Sequence, residues 1–283
     1  MDVIVAPEML LERLADPRLR IVDCRFDLTD PEAGWRGYQR EHLPGAVYAH
    51  LERDLSAPRG PVGGRHPLPP VEDLVRCLED LGISNDSWVV VYDDGLGDKA
   101  ARLWWTLRYL GHDAVQLLDG GLPAWKALGG PLTAEEPRVA RGRFVPHLRP
   151  ERLVTDHREV LQAAREGRLV DSRAAARYRG DEEPLDPVAG HIPGAKNREW
   201  HRVFGPDGRL LAPEQLAARF ADLGPEPVVY CGSGVTACVN ALAMERAGLR
   251  PRLYVGSWSD WICYPEHPVA VGAEWPDPDA QSA

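Results

Sequence analysis

The sequence predicts an α/β protein built from two tandem domains, each a mainly parallel sheet flanked by helices. The chain has 283 residues, which at roughly 150 residues per domain favours two domains. Motifs of the first half return in the second half in the same order. Within each half, short apolar runs that end at glycine-containing turns alternate with stretches of helical periodicity. That alternation is typical of a parallel sheet covered on both faces.

Four pairs of similar segments carry the repeat. They are, with the first-half member first, 21–25 and 169–173, 42–46 and 191–195, 89–93 and 227–231, and 118–121 and 254–257. The order of the segments is the same in both halves, and their spacing changes only slowly. A short-period solenoid would not show such a pattern, so the repeat indicates two copies of one domain.

Strands and helices follow from the apolar spacing in each copy. Short β-branched runs predict buried strands at 88–92 and 227–230. Prolines placed at helix starts and apolar residues at helical spacing predict the remaining elements. The predicted helices are 71–81, 99–110, 214–223 and 235–247.

The domain boundaries follow from breaks in this periodicity. Prolines, Gly142 and several arginines interrupt the pattern, which predicts a first domain at 1–140 and a linker at 141–151. The second domain is then 152–273. Residues 274–283 contain prolines and no apolar pattern, which predicts a loose tail.

Composition excludes several classes of protein. Hydrophobic residues at 44% and charged residues at 27% are ordinary for a globular protein. The net charge of −10 argues against nonspecific electrostatic binding to nucleic acid or to a membrane surface. Five cysteines without CxxC spacing indicate reduced thiols. The chain also lacks a signal-peptide pattern and a long apolar run, so we expect a cytoplasmic protein.

The segment after the second predicted central strand has the features of a reactive loop. Cys231 directly follows that strand, beyond the carboxyl ends of the strands, where ligands bind in parallel sheets. Backbone N–H groups and the following helix would favour its thiolate, and Ser233 would add a hydroxyl. Cys238, inside the predicted helix, is typical of a buried structural cysteine. The loop residues expected to contact substrate are Gly232, Gly234, Val235 and Thr236.

The loop at 231–237, the repeated segments and the stretch at 254–261 resemble the tandem-domain rhodanese and 3-mercaptopyruvate sulfurtransferase family. The resemblance implies two rhodanese-like domains and no required cofactor, and no cluster of histidines and cysteines has the spacing of a metal site. It also implies that Cys231 takes a sulfane sulfur from a small donor, holds it as a persulfide and passes it to a thiol or cyanide. Asp93 stands where the second copy has Cys231, so the first domain is expected to be inactive and to complete the donor site.

Two arginines are candidates for binding the donor. Arg177 falls where the family has a substrate-binding arginine, and a guanidinium can bind a carboxylate or sulfonate bidentately. The alternative for Arg177 is a surface ion pair with a neighbouring acid. Arg173, just after a strand, is expected to bind substrate or to brace the loop, whereas Asp171 is read as structural. The second arginine of mercaptopyruvate enzymes is missing, because acids occupy 182–186.

The family also has a Ser–His–acid arrangement, which the resemblance carries over to Ser233, His66 and Glu52. The histidine would move the proton that pyruvate enolate must regain when the C–S bond breaks. The alternative for His66 is a surface-loop histidine. His42 and His191 recur in both copies, so we read them as turn structure.

The loop composition favours 3-mercaptopyruvate over thiosulfate as donor. Rhodaneses that prefer thiosulfate place a basic residue directly after the cysteine, whereas Gly232 and Ser233 are neutral. Thiosulfate:cyanide transfer and persulfide relay to a protein acceptor remain the alternatives, with a thioredoxin-like reductant as a possible acceptor.

Three other functions fit less well. The segment 95–100 matches the GxGxxA pattern of dinucleotide sites, but Asp93 and Asp94 would repel a pyrophosphate. A cysteine phosphatase needs an arginine where this chain has Ala237. A non-catalytic scaffold would not need the intact Cys231 loop.

Overall fold

The computed structural model describes residues 2–275, which divide into two compact units. The first unit comprises the chain up to residue 57, 68–149 and 206–210. The second comprises 58–67, 150–205 and the chain from 211 on. Each unit therefore includes a short segment from the other half of the sequence. The predicted boundaries at 140 and 152 stay a prediction, and of the predicted tail at 274–283, residues 276–283 lie outside the described residues.

The first unit contains a parallel five-stranded sheet with helices around it. Its strands are β1 (Ile4–Val5), β2 (Leu19–Asp23), β3 (Val47–Tyr48), β4 (Trp88–Tyr92) and β5 (Val115–Leu118), in the order β1-β5-β4-β2-β3. Its helices are α1 (Pro7–Glu12), α2 (Ala33–Arg40), α3 (Leu51–Asp54), α4 (Val71–Asp80), α5 (Asp98–Tyr109) and α6 (Gly121–Ala127).

The second unit has the same strand order, again with every pairing parallel. Its strands are β6 (Leu153–Val154), β7 (Leu169–Asp171), β8 (Lys196–Asn197), β9 (Val228–Tyr230) and β10 (Arg252–Tyr254), in the order β6-β10-β9-β7-β8. Its helices are α7 (His157–Arg165), α8 (Ala175–Arg179), α9 (Pro213–Arg219), α10 (Ala237–Arg246) and α11 (Ser257–Trp261). The match between the two units confirms the predicted fold class.

Helix ends differ from the predicted ones where a turn intervenes. Helix α10 begins at Ala237 rather than 235, because Gly234 adopts a φ of +74° and the chain bends before it can become helical. Helix α9 begins at Pro213, with proline in its first turn, and ends at Arg219. Beyond it the N–H of Leu223 donates to the carbonyl of Phe220, a turn that takes the chain out of the predicted helix.

Each unit has its own apolar core around its central strand. Strand β4 is buried at all five positions and β9 at all three, as expected for strands covered on both faces. The core of the first unit includes Val5, Leu10, Ile21, Leu43, Val90, Leu118 and Trp125. The core of the second unit includes Val154, Val160, Leu169, Ile192, Val228, Trp258 and Trp261.

Within residues 2–275, no helix combines the length and the apolar character that crossing a membrane requires.

Candidate active site

Cys231 lies directly after β9, the central strand of the second unit. Its side chain is buried, with the residue 1% exposed. The N–H of Gly234 donates to Cys231 Sγ at 3.2 Å. The Cys231 backbone is held on both sides, because its N–H donates to Ser257 Oγ at 3.1 Å and its carbonyl accepts from the N–H of Trp258 at 3.0 Å. The thiol is therefore fixed at the edge of the sheet, and the N–H directed at its sulfur stabilises negative charge there.

The loop around the sulfur turns back on itself between β9 and α10. Gly234, with a φ of +74°, is in the left-handed region that favours glycine. Val235 is buried and Thr236 is half-buried, and α10 begins immediately after them. The N-terminus of this helix adds a favourable dipole for an anion in the loop. The predicted substrate-contacting residues thus share one loop, and their individual roles stay predictions.

The corresponding loop of the first unit encloses a carboxylate. Asp93 accepts four backbone N–H groups at 2.9 to 3.2 Å. The donors are Gly95, Gly97, Lys99 and Ala100. Burial, and then the nearby Asp98, raise the pKa of Asp93 to about 6. This loop type therefore presents a nest of N–H groups to an anion, and in the first unit the chain's own carboxylate occupies it.

Ser233 and His66 form a buried hydrogen-bonded pair. Ser233 Oγ lies 2.8 Å from His66 Nδ1, and the two residues are 7% and 2% exposed. His66 thus lies in the second unit although it belongs to the first half of the sequence. Its burial excludes the surface-loop alternative. Ser233 is two residues after Cys231 in the same loop, and its hydroxyl and the imidazole can exchange a proton with each other.

The segment at 58–67 reaches this position through backbone contacts. The N–H of Gly63 donates to Asp260 Oδ1 at 2.7 Å, and the N–H of Arg65 donates to Ser259 Oγ at 3.0 Å. Gly64 has a φ of +79°, and a methyl group on its Cα would lie 2.7 Å from Ser259 Oγ. Glycine is required there because the backbone approaches Gly256 and the first residues of α11 too closely for a side chain.

Glu52, the predicted acid, lies in the first unit on the short helix α3 and is half-buried. Its backbone N–H donates to His50 Nδ1 at 3.1 Å, which caps the helix. Its role beside His66 stays a prediction.

Arg177 forms a buried cluster with two acids. Its Nη2 lies 2.6 Å from Glu183 Oε1 and 3.2 Å from Asp186 Oδ2. Both carboxylates are only 3% exposed at the side chain, so this is not the surface ion pair that the sequence suggested. A methyl group added to Gly232 would lie 3.4 Å from Arg177 Nη1. The guanidinium therefore reaches the residue next to Cys231.

The Arg173 guanidinium is surrounded by hydrogen-bonding and aromatic partners from the protein itself. It donates to Asp171 Oδ2 at 2.6 Å, to the carbonyl of Gly190 at 2.6 Å and to Glu183 Oε2 at 3.2 Å. Its guanidinium carbon also lies 4.7 Å from the centre of the Trp258 ring. With its side chain 1% exposed, Arg173 has no surface to offer a donor, so we read it as bracing the loop rather than binding substrate.

Arg65 is the site residue that sequence reasoning missed. A methyl group on Gly232 would lie 2.7 Å from Arg65 Nη2, and Arg65 Nη1 forms an ion pair with Asp186. The residues that follow the cysteine are neutral, as the sequence shows, but a cation from elsewhere in the sequence lies beside Gly232. The only feature of the sequence near Arg65 that could have pointed to it was its position next to His66.

The two repeated histidines are structural. His42 Nδ1 and His191 Nδ1 each lie 2.7 Å from a tyrosine carbonyl, those of Tyr38 and Tyr178, and both imidazoles are fully buried. Across residues 2–275, no three His, Cys, Asp or Glu side chains are arranged to hold a metal ion.

Comparison with known proteins shows which family this chain resembles. The rhodanese-like domain family matches the chain twice, at residues 6–128 and 156–262. A Pseudomonas aeruginosa protein named "Probable 3-mercaptopyruvate sulfurtransferase" is 50% identical over 278 residues, covering 95% of this chain and 98% of the relative. The thiosulfate sulfurtransferase of Cricetulus griseus is 37% identical over 273 residues, covering 90% of each chain.

The fold is also similar to that of a solved relative. The crystal structure of SseA from Escherichia coli, a 3-mercaptopyruvate sulfotransferase, superposes with a TM-score of 0.80 at 33% identity. The match covers 92% of this chain and 100% of that one.

Proposed function

The chain belongs to the rhodanese-like family and is a sulfurtransferase, and we propose that it works through a persulfide on Cys231 with 3-mercaptopyruvate as its preferred donor. The observation that carries this proposal is the 3.2 Å hydrogen bond from the Gly234 N–H to Cys231 Sγ. A structural cysteine has no need of an N–H donor directed at its sulfur, whereas a nucleophilic thiolate does.

In the first half-reaction, the Cys231 thiol passes its proton to the Ser233–His66 pair, and the thiolate attacks the sulfur of 3-mercaptopyruvate. An S–S bond forms and the donor's C–S bond breaks, with its electron pair remaining on carbon as pyruvate enolate. The proton held by Ser233 and His66 then returns to the enolate carbon. The products are pyruvate and a Cys231 persulfide, and no external oxidant or acid is needed.

In the second half-reaction, a thiolate or cyanide attacks the outer sulfur of the persulfide. A bond forms between the acceptor and that sulfur, the S–S bond breaks, and its electron pair returns to Cys231 as thiolate. The N–H of Gly234 stabilises the charge that Cys231 regains.

The charge balance around the loop does not call for a doubly charged donor. Three guanidinium groups, of Arg65, Arg173 and Arg177, share the cluster with three carboxylates. The carboxylates belong to Asp171, Glu183 and Asp186. Because the positive and negative charges of the cluster balance, a second negative charge gains little net attraction there, so the cluster gives the dianion thiosulfate no advantage over the monoanion 3-mercaptopyruvate.

The second candidate function is thiosulfate sulfurtransfer. The observation in its favour is the guanidinium of Arg65 next to Gly232, in the space that a basic residue after the cysteine would occupy. A compact dianion benefits from a cation so near the sulfur. Persulfide relay to a protein acceptor uses the same first half-reaction and differs only in the acceptor.

Two measurements test these proposals. Intact-mass spectrometry after incubation with each donor should show one added sulfur on the wild type and none on Cys231→Ser. Steady-state kcat/KM for the two donors, with one common thiol acceptor, should be higher for 3-mercaptopyruvate. An equal mass gain on Cys231→Ser would contradict the persulfide assignment, and a higher kcat/KM for thiosulfate would contradict the donor preference alone.

We propose a cytoplasmic location and a thiol acceptor such as a thioredoxin-like reductant. All five cysteines are free, which suits a reducing compartment. The net charge of −10 supports neither a nucleic-acid nor a membrane partner. Subcellular fractionation, and sulfur transfer to a reduced thioredoxin-like protein, test these two points.

A further inference from the structure

We propose that Arg65 is the second arginine of the donor-binding site and that Asp186 is the residue that positions it. This inference rests on the proposed function, because it concerns how the oxyanion end of the donor is held beside Cys231. The group that the two arginines would bind is an oxyanion. In 3-mercaptopyruvate it is the carboxylate, and in thiosulfate it is the sulfonate-like set of oxygens.

Two guanidinium groups converge on the residue that follows Cys231. A methyl group at Gly232 would lie 2.7 Å from Arg65 Nη2 and 3.4 Å from both Arg177 Nη1 and Arg177 Nη2. Arg177 comes from α8, whereas Arg65 comes from the segment at 58–67. Glycine at 232 leaves the space in which both cations can approach the loop.

Asp186 connects the two arginines. Its Oδ1 pairs with Arg65 Nη1, and its Oδ2 lies 3.2 Å from Arg177 Nη2. The carboxylate is itself held, because the Asp186 N–H donates to Glu183 Oε1 at 3.1 Å and the Asp186 side chain is only 3% exposed. Asp186 thus fixes the direction of Arg65 and leaves Nη2 on the side that faces the loop.

This arrangement accounts for the acids at 182–186. Mercaptopyruvate enzymes of the family have a second arginine in this stretch, whereas this chain has Asp186 there, in contact with an arginine from elsewhere in the sequence. The cation is present, and only its place in the sequence has changed. Two guanidinium groups side by side can bind the two oxygens of one carboxylate through charge-assisted hydrogen bonds.

The backbone of Arg65 is fixed before any donor arrives. Its N–H donates to Ser259 Oγ at 3.0 Å, and the preceding Gly64 contacts the same loop closely. A prepositioned side chain loses little conformational entropy on binding. Little of the binding free energy of Arg65 is therefore spent on ordering the segment.

The test measures kcat and KM for both donors in wild type, Arg65→Gln, Asp186→Asn and the double variant Arg65→Gln/Asp186→Arg. Since a charge-assisted hydrogen bond contributes about tenfold or more in binding, Arg65→Gln should raise KM for 3-mercaptopyruvate about tenfold. Its kcat should change much less. Asp186→Asn should raise KM less than Arg65→Gln does, because the cation remains but is less well directed. Arg179→Gln, at an exposed arginine on the same helix as Arg177, is the matched control.

The double variant Arg65→Gln/Asp186→Arg distinguishes loss of the positive charge from a structural effect of the Arg65→Gln substitution. An arginine at 186 can place a guanidinium in the space that Arg65 leaves, so it should recover most of the lost KM while thermal unfolding stays close to that of Arg65→Gln. An unchanged KM for Arg65→Gln, or an increase that Asp186→Arg fails to reverse, would overturn the inference. If Arg65→Gln raises KM for thiosulfate as well, the site binds oxyanions in general. If the increase is confined to 3-mercaptopyruvate, the site is specific for a carboxylate. Both outcomes support the inference. A wild type that acquires no sulfur on Cys231 would contradict the proposed function itself.

Discussion

His66 Nδ1 lies 2.8 Å from Ser233 Oγ although 167 residues separate the two along the chain. The segment that carries His66 belongs to the second compact unit and is anchored there by Asp260 and Ser259. The same segment brings Arg65 to the cysteine loop. One short stretch of the first half of the sequence thus brings both an imidazole and a guanidinium group to the loop that carries Cys231.

Cys231→Ser should abolish sulfur transfer with either donor and leave the fold intact, because serine is nearly isosteric with cysteine and lacks the nucleophilic sulfur. Persulfide formation followed by intact mass and thermal unfolding measures both. Cys77→Ser is the control, since burial raises the pKa of the Cys77 thiol to about 12 and keeps it protonated. Loss of activity in Cys77→Ser, or its retention in Cys231→Ser, would contradict the assignment.

Ser233→Ala should lower kcat for 3-mercaptopyruvate roughly 100-fold, a typical loss for a proton-transfer group. His66→Gln should do the same, and the double variant should be little worse, because the two residues act as one unit. With thiosulfate the loss should be smaller, since sulfite leaves without protonation at carbon and the pair is then needed only to accept the Cys231 proton. Stopped-flow release of pyruvate measures the effect. Additive losses in the double variant would show that the two side chains act independently.

Gly232→Ala should raise KM several-fold with almost no change in thermal stability. The new methyl group would lie 2.7 Å from Arg65 Nη2, the far end of a flexible side chain that can move aside. The fold tolerates that movement, but it takes the guanidinium away from the donor. Gly234→Ala is the comparison, because its φ of +74° makes any side chain there strained, at about 1 kcal/mol or more. A large loss of stability in Gly232→Ala would contradict this account.

Arg173→Gln should destabilise the second unit by about 3 kcal/mol, the typical result of removing one partner from a buried ion pair. The Asp171 carboxylate that it leaves behind is fully buried. Urea unfolding measures the change. If Arg173→Gln instead kept full stability and raised KM, Arg173 would be a donor-binding residue after all.

Asp93→Asn should keep sulfur transfer and change how stability depends on pH. Burial and Asp98 raise the pKa of Asp93 in the folded protein to about 6, above the ordinary 3.8. The folded state therefore binds this proton more tightly than the unfolded state does. The contribution of Asp93 to the free energy of unfolding is present below about pH 4 and is lost as the pH rises through 6, by about 3 kcal/mol in full.

Urea unfolding at about pH 4.5 and about pH 7.5 should show this loss in the wild type relative to Asp93→Asn. Asp94→Asn, at the neighbouring exposed position, is the control. Wild type and Asp93→Asn with identical pH dependence would contradict the raised pKa, and loss of persulfide formation in Asp93→Asn would contradict an inactive first domain.

Local sequence determined the strands and helices and the loop that carries Cys231. Apolar periodicity and repeated turn motifs are short-range properties, so the two parallel sheets and the loop around Cys231 could be predicted from neighbouring residues. The tertiary structure decided which distant side chains meet that loop. Arg177 and Arg173 have similar sequence settings, yet one reaches Gly232 and the other is enclosed by Asp171, Glu183 and Gly190. Arg65 could not be assigned from sequence because its position depends on contacts with residues more than 100 positions away, and no local pattern encodes a contact of that range.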